Sequence, residues 1–361
     1  MVEVWLPYGK AEVCLRVPTE NFLGIIKPNE MKGAENPQEE IERSLKEPIG
    51  TKRLPEIVKP GDKISIVIND AGDCSLNLLI VKSILIELNE AGASNRDITV
   101  IKGYNPLYTS AAKNDVEFRN DEALKEVEVI DHNCESQENV YVGETSFGTK
   151  VHLNKRFVES KTKILAGQVR PHPYMGYSGG RDGVLCGVSS VETIQHNLSM
   201  VTDPKARSGL LEGNPVHEDV VEAAHLIGVD FTLNAVRNKD QELVKCFAGD
   251  LDEAFNKGVD LADEMYKIPV GGRADIVFAS PGGFPFDLSL HESCKGIRNA
   301  LEVVRKNGVL ILVAECSGGY GGSDFYSLMA KYKDLKGIEN SLKKRFTANG
   351  YVAYSLTGAR E

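Results

Sequence analysis

The chain has 361 residues, 42% of them apolar and 26% charged, with a formal net charge of −10 at neutral pH. That length supports two domains with ample core, and the acidic balance argues against nucleic acid or an anionic membrane as a partner, although a few local cations can still receive a small anion. Seven cysteines, Cys14, Cys74, Cys134, Cys186, Cys246, Cys294 and Cys316, are dispersed without a C-x-x-C pair, which excludes a zinc knuckle or a thioredoxin-type motif and fits a reducing compartment.

Residues 2–17 alternate around Pro7, Tyr8 and Gly9, which predicts a β-hairpin rather than a signal peptide. No window approaches about 18 consecutive apolar residues, so no membrane-spanning helix is expected and the expected location is cytoplasmic. Residues 28–59 are polar and proline-marked, with a short helix over 37–46. A βαβ unit follows: strand 63–68, an apolar helix over 76–91 ended by Gly92, and strand 98–101. Right-handed crossover makes these strands parallel, so Asn69, Asp70, Gly72 and Asp73 after the first, and Gly103, Tyr104 and Asn105 after the second, lie where open α/β sheets bind ligands. The acidic run 117–129 predicts a helix leading into a strand that ends at Asp131 and His132, and 138–151 a hairpin around Gly143 and Gly148.

The central stretch, 163–197, carries the densest chemistry. Ile164, Leu165 and Ala166 read as a buried strand, followed by His172, the glycines Gly176, Gly179 and Gly180 around Ser178, and the pair Arg181 and Asp182. Glycines this close together favour positive φ and backbone N–H groups turned toward a bound phosphate or carboxylate. Ser189 and Glu192 have capping-box spacing for the next helix. Beyond it, 217–226 is an amphipathic helix whose His217 and His225 are too far apart for one metal and read as surface or packing residues. A hairpin over 231–247 and a helix over 251–266 precede the break at Pro269, Gly271 and Gly272. The last part opens with a second βαβ unit: strand 276–279, helix 289–306, a turn at Asn307 and Gly308, and strand 309–314. GGYGGSD, residues 318–324, does not have the dinucleotide G-x-G-x-x-G pattern.

The expected fold class is therefore α/β with two domains, 1–270 and 271–361, each a βαβ-containing sheet with helices packed on it, and an active-site cleft between them. His172 is the general acid/base candidate, because an imidazole titrates near neutrality. Lys295, one turn after His291, and Arg181 are candidate anion clamps, with Arg170 weaker. Asp70, Asp73, Asp182 and Glu292 supply carboxylates that, with His172 or His291, suit a hard divalent ion such as Mg²⁺ or Mn²⁺.

PHPYMGYSGGRDGVLCGVSSVETI, with Val67 to Asp70 at the first strand end and PGGFPFDLSLHESCK at 281–295, resembles the signatures of the nickel-dependent lactate racemase family. The resemblance covers most of the chain. It implies racemisation of an α-hydroxy acid by hydride transfer to a lysine-tethered nickel-pincer nucleotide, two histidines alternating as acid and base. His172 matches the proline-linked catalytic histidine, Asp70 the aspartate of the first motif, and Lys295 the lysine of the last. Other positions depart from the pattern. Asp73 stands where the substrate-binding arginine is expected, Tyr104, Asn105 and Pro106 where the second histidine is expected, Asp182 at the tethering lysine, and Leu198 at the nickel-ligating histidine, with His196 two residues away. His291 and Glu292 replace a Tyr-Gln pair.

The site thus expected places His172, Lys295 and Asp182 in catalysis, and Asp70, Asp73, Ser178, Gly179, Gly180, Arg181, His291 and Glu292 around a substrate or anion. Candidate metal ligands are Asp70, His172, Asp182 and Glu292. The expected function is a lactate racemase-like isomerase on a small hydroxy or sugar acid without the usual tethered nucleotide. The alternatives are a divalent-metal dehydratase or epimerase working by proton chemistry, and a non-catalytic ligand-binding homologue. The expected partner is a small anionic metabolite, with a homo-oligomer left open.

Overall fold

The computed structural model describes residues 1–68, 74–103 and 116–359. Its strands are β1 (Val2–Tyr8), β2 (Ala11–Val17), β3 (Ile64–Ile68), β4 (Ile98–Lys102), β5 (Glu128–Asp131), β6 (Val140–Glu144), β7 (Lys150–Leu153), β8 (Thr162–His172), β9 (Gly176–Ser178), β10 (Phe231–Arg237), β11 (Leu243–Gly249), β12 (Ala274–Ala279) and β13 (Val304–Leu312). The chain divides into two compact units, one of residues 28–267 and one joining 1–27 to 268–361.

The larger unit is built on a sheet in the order β11-β10-β8-β3-β4-β5, in which β10, β8, β3, β4 and β5 run parallel and β11 closes one edge antiparallel. Every residue of β3 is buried, as a strand covered on both faces requires, and its side chains are apolar except Ser65, whose Oγ lies 2.5 Å from Ser160 Oγ. Strand periodicity sorts the two cores. Phe231, Leu233 and Ala235 join Ile164, Ala166, Ile41, Ile80 and Ile84 on one face, whereas Val236 and Val169 meet Phe255, Val259, Ala262 and Met265 of the helix Glu253–Tyr266 on the other. Asn36 caps the helix Pro37–Lys46, and Gly92, with φ +81°, ends the helix Cys74–Glu90.

The smaller unit pairs β1 with β2 antiparallel and β12 with β13 parallel. The hairpin tip is fastened to later segments. Gly9 N–H donates to Asp287 Oδ2 at 2.6 Å, Phe284 N–H donates to Gly9 O at 2.8 Å, and Ser280 Oγ donates to Pro7 O at 2.7 Å. Three helices follow, Ser323–Lys331, Leu335–Lys344 and Ala348–Gly358. Among the described residues no helix is long and apolar enough to cross a membrane.

Several expectations need correction. The hairpin turn is at Gly9 and Lys10, with Pro7 and Tyr8 inside β1. The helix expected over 117–129 is only Val116–Arg119, because Asp121 caps a separate short turn at Ala123 N–H and Glu126 takes φ +69°, which ends it. The helix expected over 289–306 is two short pieces, Leu290–Ser293 and Ile297–Leu301, after which β13 begins at Val304. Asn307 and Gly308 lie inside that strand, not between elements, with the register shifting where β12 pairs with it. The first 27 residues group with 268–361 rather than with the unit that follows them.

Candidate active site

β8 is longer than its apolar run. It continues through Val169 and Arg170 to His172, three residues past its last pairing with β10, and turns back antiparallel into β9, so that Arg170 faces Ser178 and His172 faces Gly176. Gly176 is required twice over: its φ is +78°, and a Cβ there would sit 2.2 Å from Leu210 O. The half-buried His172 ring stands edge-on to Tyr174, centroids 4.5 Å apart, and its Nδ1 accepts from Met175 N–H at 3.3 Å. Burial, then the charge of Arg170, pulls its imidazolium well below the ordinary histidine range, so the ring is neutral at pH 7.

The glycine loop that follows is not the open nest its composition predicts. Gly179 and Gly180 have ordinary backbone φ, and their N–H groups are already bonded, to Asp182 Oδ2 at 3.3 Å and to Asn234 Oδ1 at 2.8 Å. What excludes a side chain there is proximity. A Cβ on Gly179 would lie 2.5 Å from the Phe255 ring, and one on Gly180 2.3 Å from Thr232 Oγ1. Gly167 is glycine for the same reason, its Cβ position being 2.9 Å from Gly179 C. Ser178 Oγ donates to Gln168 O at 2.8 Å. Asn234 and Thr232, both fully buried, lie on the β10 face that carries this loop, and Thr232 Oγ1 donates on to Leu165 O at 3.2 Å. Sequence reading missed both. The available signal was two polar residues at alternate positions of an otherwise apolar strand.

Arg181 and Asp182 are both buried. The Arg181 guanidinium lies on the Phe255 ring, 3.7 Å from its centroid, donates to Asp252 Oδ1 at 2.7 Å, and donates to His217 Nε2 at 3.0 Å. Because a guanidinium only donates, His217 must accept, and burial together with Arg181 lowers its pKa to about 3. Burial also lowers the Arg181 pKa to about 10, against the opposing pull of Asp252 and Asp182. The charge expected to clamp an anion is therefore committed to Asp252. His225 reaches the other oxygen of that carboxylate at 2.9 Å, so the two histidines read as unrelated meet at one ion pair. The turn Gly183–Gly187 is a single π-helical turn. The helix after it is capped by Ser190, accepting from Thr193 N–H, while Ser189 donates to Val184 O.

Leu198 is fully buried. His196 is exposed, its Nδ1 2.8 Å from Thr149 Oγ1. In the smaller unit His291 is buried, Nδ1 3.3 Å from Glu292 Oε1, with Nε2 lacking a partner among the described residues. Asp70 and Asp73, Tyr104 to Pro106, and the side chain of Lys295 lie outside the described residues. Among the described residues no group of three or more His, Cys, Asp or Glu side chains could hold a metal ion. The structure therefore brings together His172, Arg170, Ser178, Gly179, Gly180, Arg181 and Asp182 on one loop system.

The model of the lactate racemase N-terminal domain matches residues 8–209, and that of the C-terminal domain matches residues 271–351. The first alone spans more than half of the chain. The chain belongs to the lactate racemase family. It is 31% identical over 351 residues to lactate racemase of Thermoanaerobacterium thermosaccharolyticum, covering 96% of this chain and 82% of that protein. It is 30% identical over 342 residues to lactate racemase of Lactiplantibacillus plantarum, covering 93% and 80%. The structure of the lactate racemase apoprotein from the former organism superposes with a TM-score of 0.83 at 27% identity, covering 99% of this chain and 86% of that one. A Thermotoga maritima protein shares the fold alone, with a TM-score of 0.59 at 17% identity, covering 90% and 83%. Within the family, the α/β architecture and racemase-like character are common ground.

Proposed function

We propose that this protein is a lactate racemase-like isomerase of a small α-hydroxy or sugar acid, with His172 as the base that takes the C2 proton and the acid through which a solvent-exchanged proton returns to C2. The single observation that carries the reading is the setting of His172, a neutral imidazole at the tip of the central strand beside Arg170, an exposed cation with no ion pair among the described residues. The bond from Met175 N–H to Nδ1 is long for an N–H donor, and an imidazole can both accept and donate a proton. The ligand of the reading is a small anionic metabolite.

The lysine-tethered nickel-pincer nucleotide does not fit the residues at its expected positions. Asp182 is a buried carboxylate accepting the Gly179 N–H, and a carboxylate cannot form the linkage a lysine amine forms. Leu198 has no donor atom and is packed inside the protein. No step is therefore routed through that group. Inversion by proton transfer is the chemistry left to this chain, with the α-proton exchanging with solvent. Incubating the purified protein in D₂O with single enantiomers of lactate, malate or gluconate, read by NMR and chiral chromatography, should show inversion with deuterium incorporation at C2. His172→Gln should slow it by about 10²-fold or more. Inversion without deuterium uptake, or a His172→Gln enzyme as fast as the parent, refutes the assignment.

A further inference from the structure

Arg170 and His172 are two residues apart on β8, so both side chains project from the same face of the strand with Cα atoms about 6.6 Å apart. The β9 return strand holds that geometry. Arg170 pairs with Ser178 and His172 with Gly176, and Ser178 Oγ, besides its bond to Gln168 O, lies 3.4 Å from Arg170 O, which fixes the backbone beneath the guanidinium. Arg170 is exposed, and its side chain makes no hydrogen bond or ion pair among the described residues. The contrast with Arg181 is direct, since that guanidinium is buried against Asp252, His217 and Phe255. An arginine with no ion pair among the described residues, one strand step from a neutral imidazole, is suited to receive a planar anion in bidentate fashion.

We propose that Arg170 binds the carboxylate of the substrate and thereby determines which acids reach His172. This rests on the function proposed above and deepens it. A 2-hydroxy acid has its carboxylate next to its reacting carbon, so a guanidinium on the carboxylate leaves C2 and its hydroxyl in front of the residue two positions on. The ligand class is a 2-hydroxy carboxylate, and its neutral amide should be rejected.

The test is calorimetric titration of the full chain with D- and L-lactate, malate and gluconate, and with lactamide as the uncharged comparison, for the parent, Arg170→Met and Arg170→Lys. The parent should bind at least one of the acids and bind lactamide far more weakly. Arg170→Met should weaken acid binding by about 10- to 100-fold with lactamide unchanged, as expected for loss of a charge-assisted bidentate pair, and Arg170→Lys should recover part of the loss. The thermal midpoint should not move, because the side chain is exposed. The proposal is overturned if the parent binds none of the acids, if Arg170→Met binds them as the parent does, or if it loses acid and amide alike. The two readings fail separately. Acid binding that depends on Arg170 without any inversion removes the isomerase and keeps the clamp, whereas inversion that persists with unchanged affinity in Arg170→Met does the reverse.

Discussion

Gly180 is held from two sides, its N–H on Asn234 and its α-carbon against Thr232, which is itself bonded to Leu165 O and has nowhere to retreat. Gly180→Ala should therefore destabilise the protein by about 1–3 kcal/mol, the usual penalty for overpacking a filled site. Urea denaturation checks this, and an unchanged midpoint would mean the loop has slack that the structure does not show. Histidine protonation is a second test at this scale. With a folded pKa near 3 and an unfolded value near 6.5, His217 binds its proton more readily in the unfolded chain. Its contribution to stability is complete above about pH 6.5 and falls by up to about 1.4 kcal/mol per pH unit as the pH drops below that value toward 3. Carboxylates such as Glu40, whose pKa is lowered in the fold, add acid sensitivity of their own below about 4.5. The readout is thus the difference between parent and His217→Gln in denaturation midpoints at pH 7.5, 6 and 5, which should shrink as pH falls. A constant difference would contradict the buried neutral ring.

Elements whose own sequence carries a start or a stop signal were legible. The helix Pro37–Lys46 has its asparagine cap and proline, and the helix Cys74–Glu90 has Gly92. β8 was legible only in its apolar half, because the extension to His172 pairs with β9, whose Gly176 O accepts from Gly209 N–H, partners that alternation along a single strand does not reveal. The same holds for the loop glycines, whose spacing suggests an anion nest while their actual constraint is the Phe255 ring and Thr232 side chain from elements more than fifty residues away. The β6–β7 hairpin is fixed in this hidden way too. Fully buried Asp219 of the helix Pro215–Ile227 accepts from Thr145 Oγ1, Thr149 Oγ1 and Asn197 Nδ2. As the single Thr149 hydroxyl proton goes to Asp219, His196 Nδ1 is the donor to that oxygen. Asp219→Ala should strand three buried donors and cost on the order of 3 kcal/mol. Hydrogen exchange of β6 and β7 amides should accelerate along with the global loss, and retention of parent-like protection would show the hairpin to be held by something else.

At the scale of the molecule, the break near Pro269 was legible from composition and lies beside the observed division at Lys267 and Ile268. The affiliation of the first 27 residues was not. Their alternation announces a hairpin but says nothing of what it docks on, and the deciding bonds run from Gly9 to Asp287, 278 positions along the chain. Family membership was legible because its signatures are contiguous, whereas the burial of Asp182 and Leu198 is set by packing partners that their place in the sequence does not announce.

The discontinuity of the smaller unit also orders events at the ribosome. Residues 28–267 are complete and can collapse upon themselves while the amino-terminal ribbon still waits, since the carboxylate of Asp287 that will receive Gly9 has yet to be synthesised. The larger unit is therefore free to mature during translation, and the smaller can close only after residue 287 has been added.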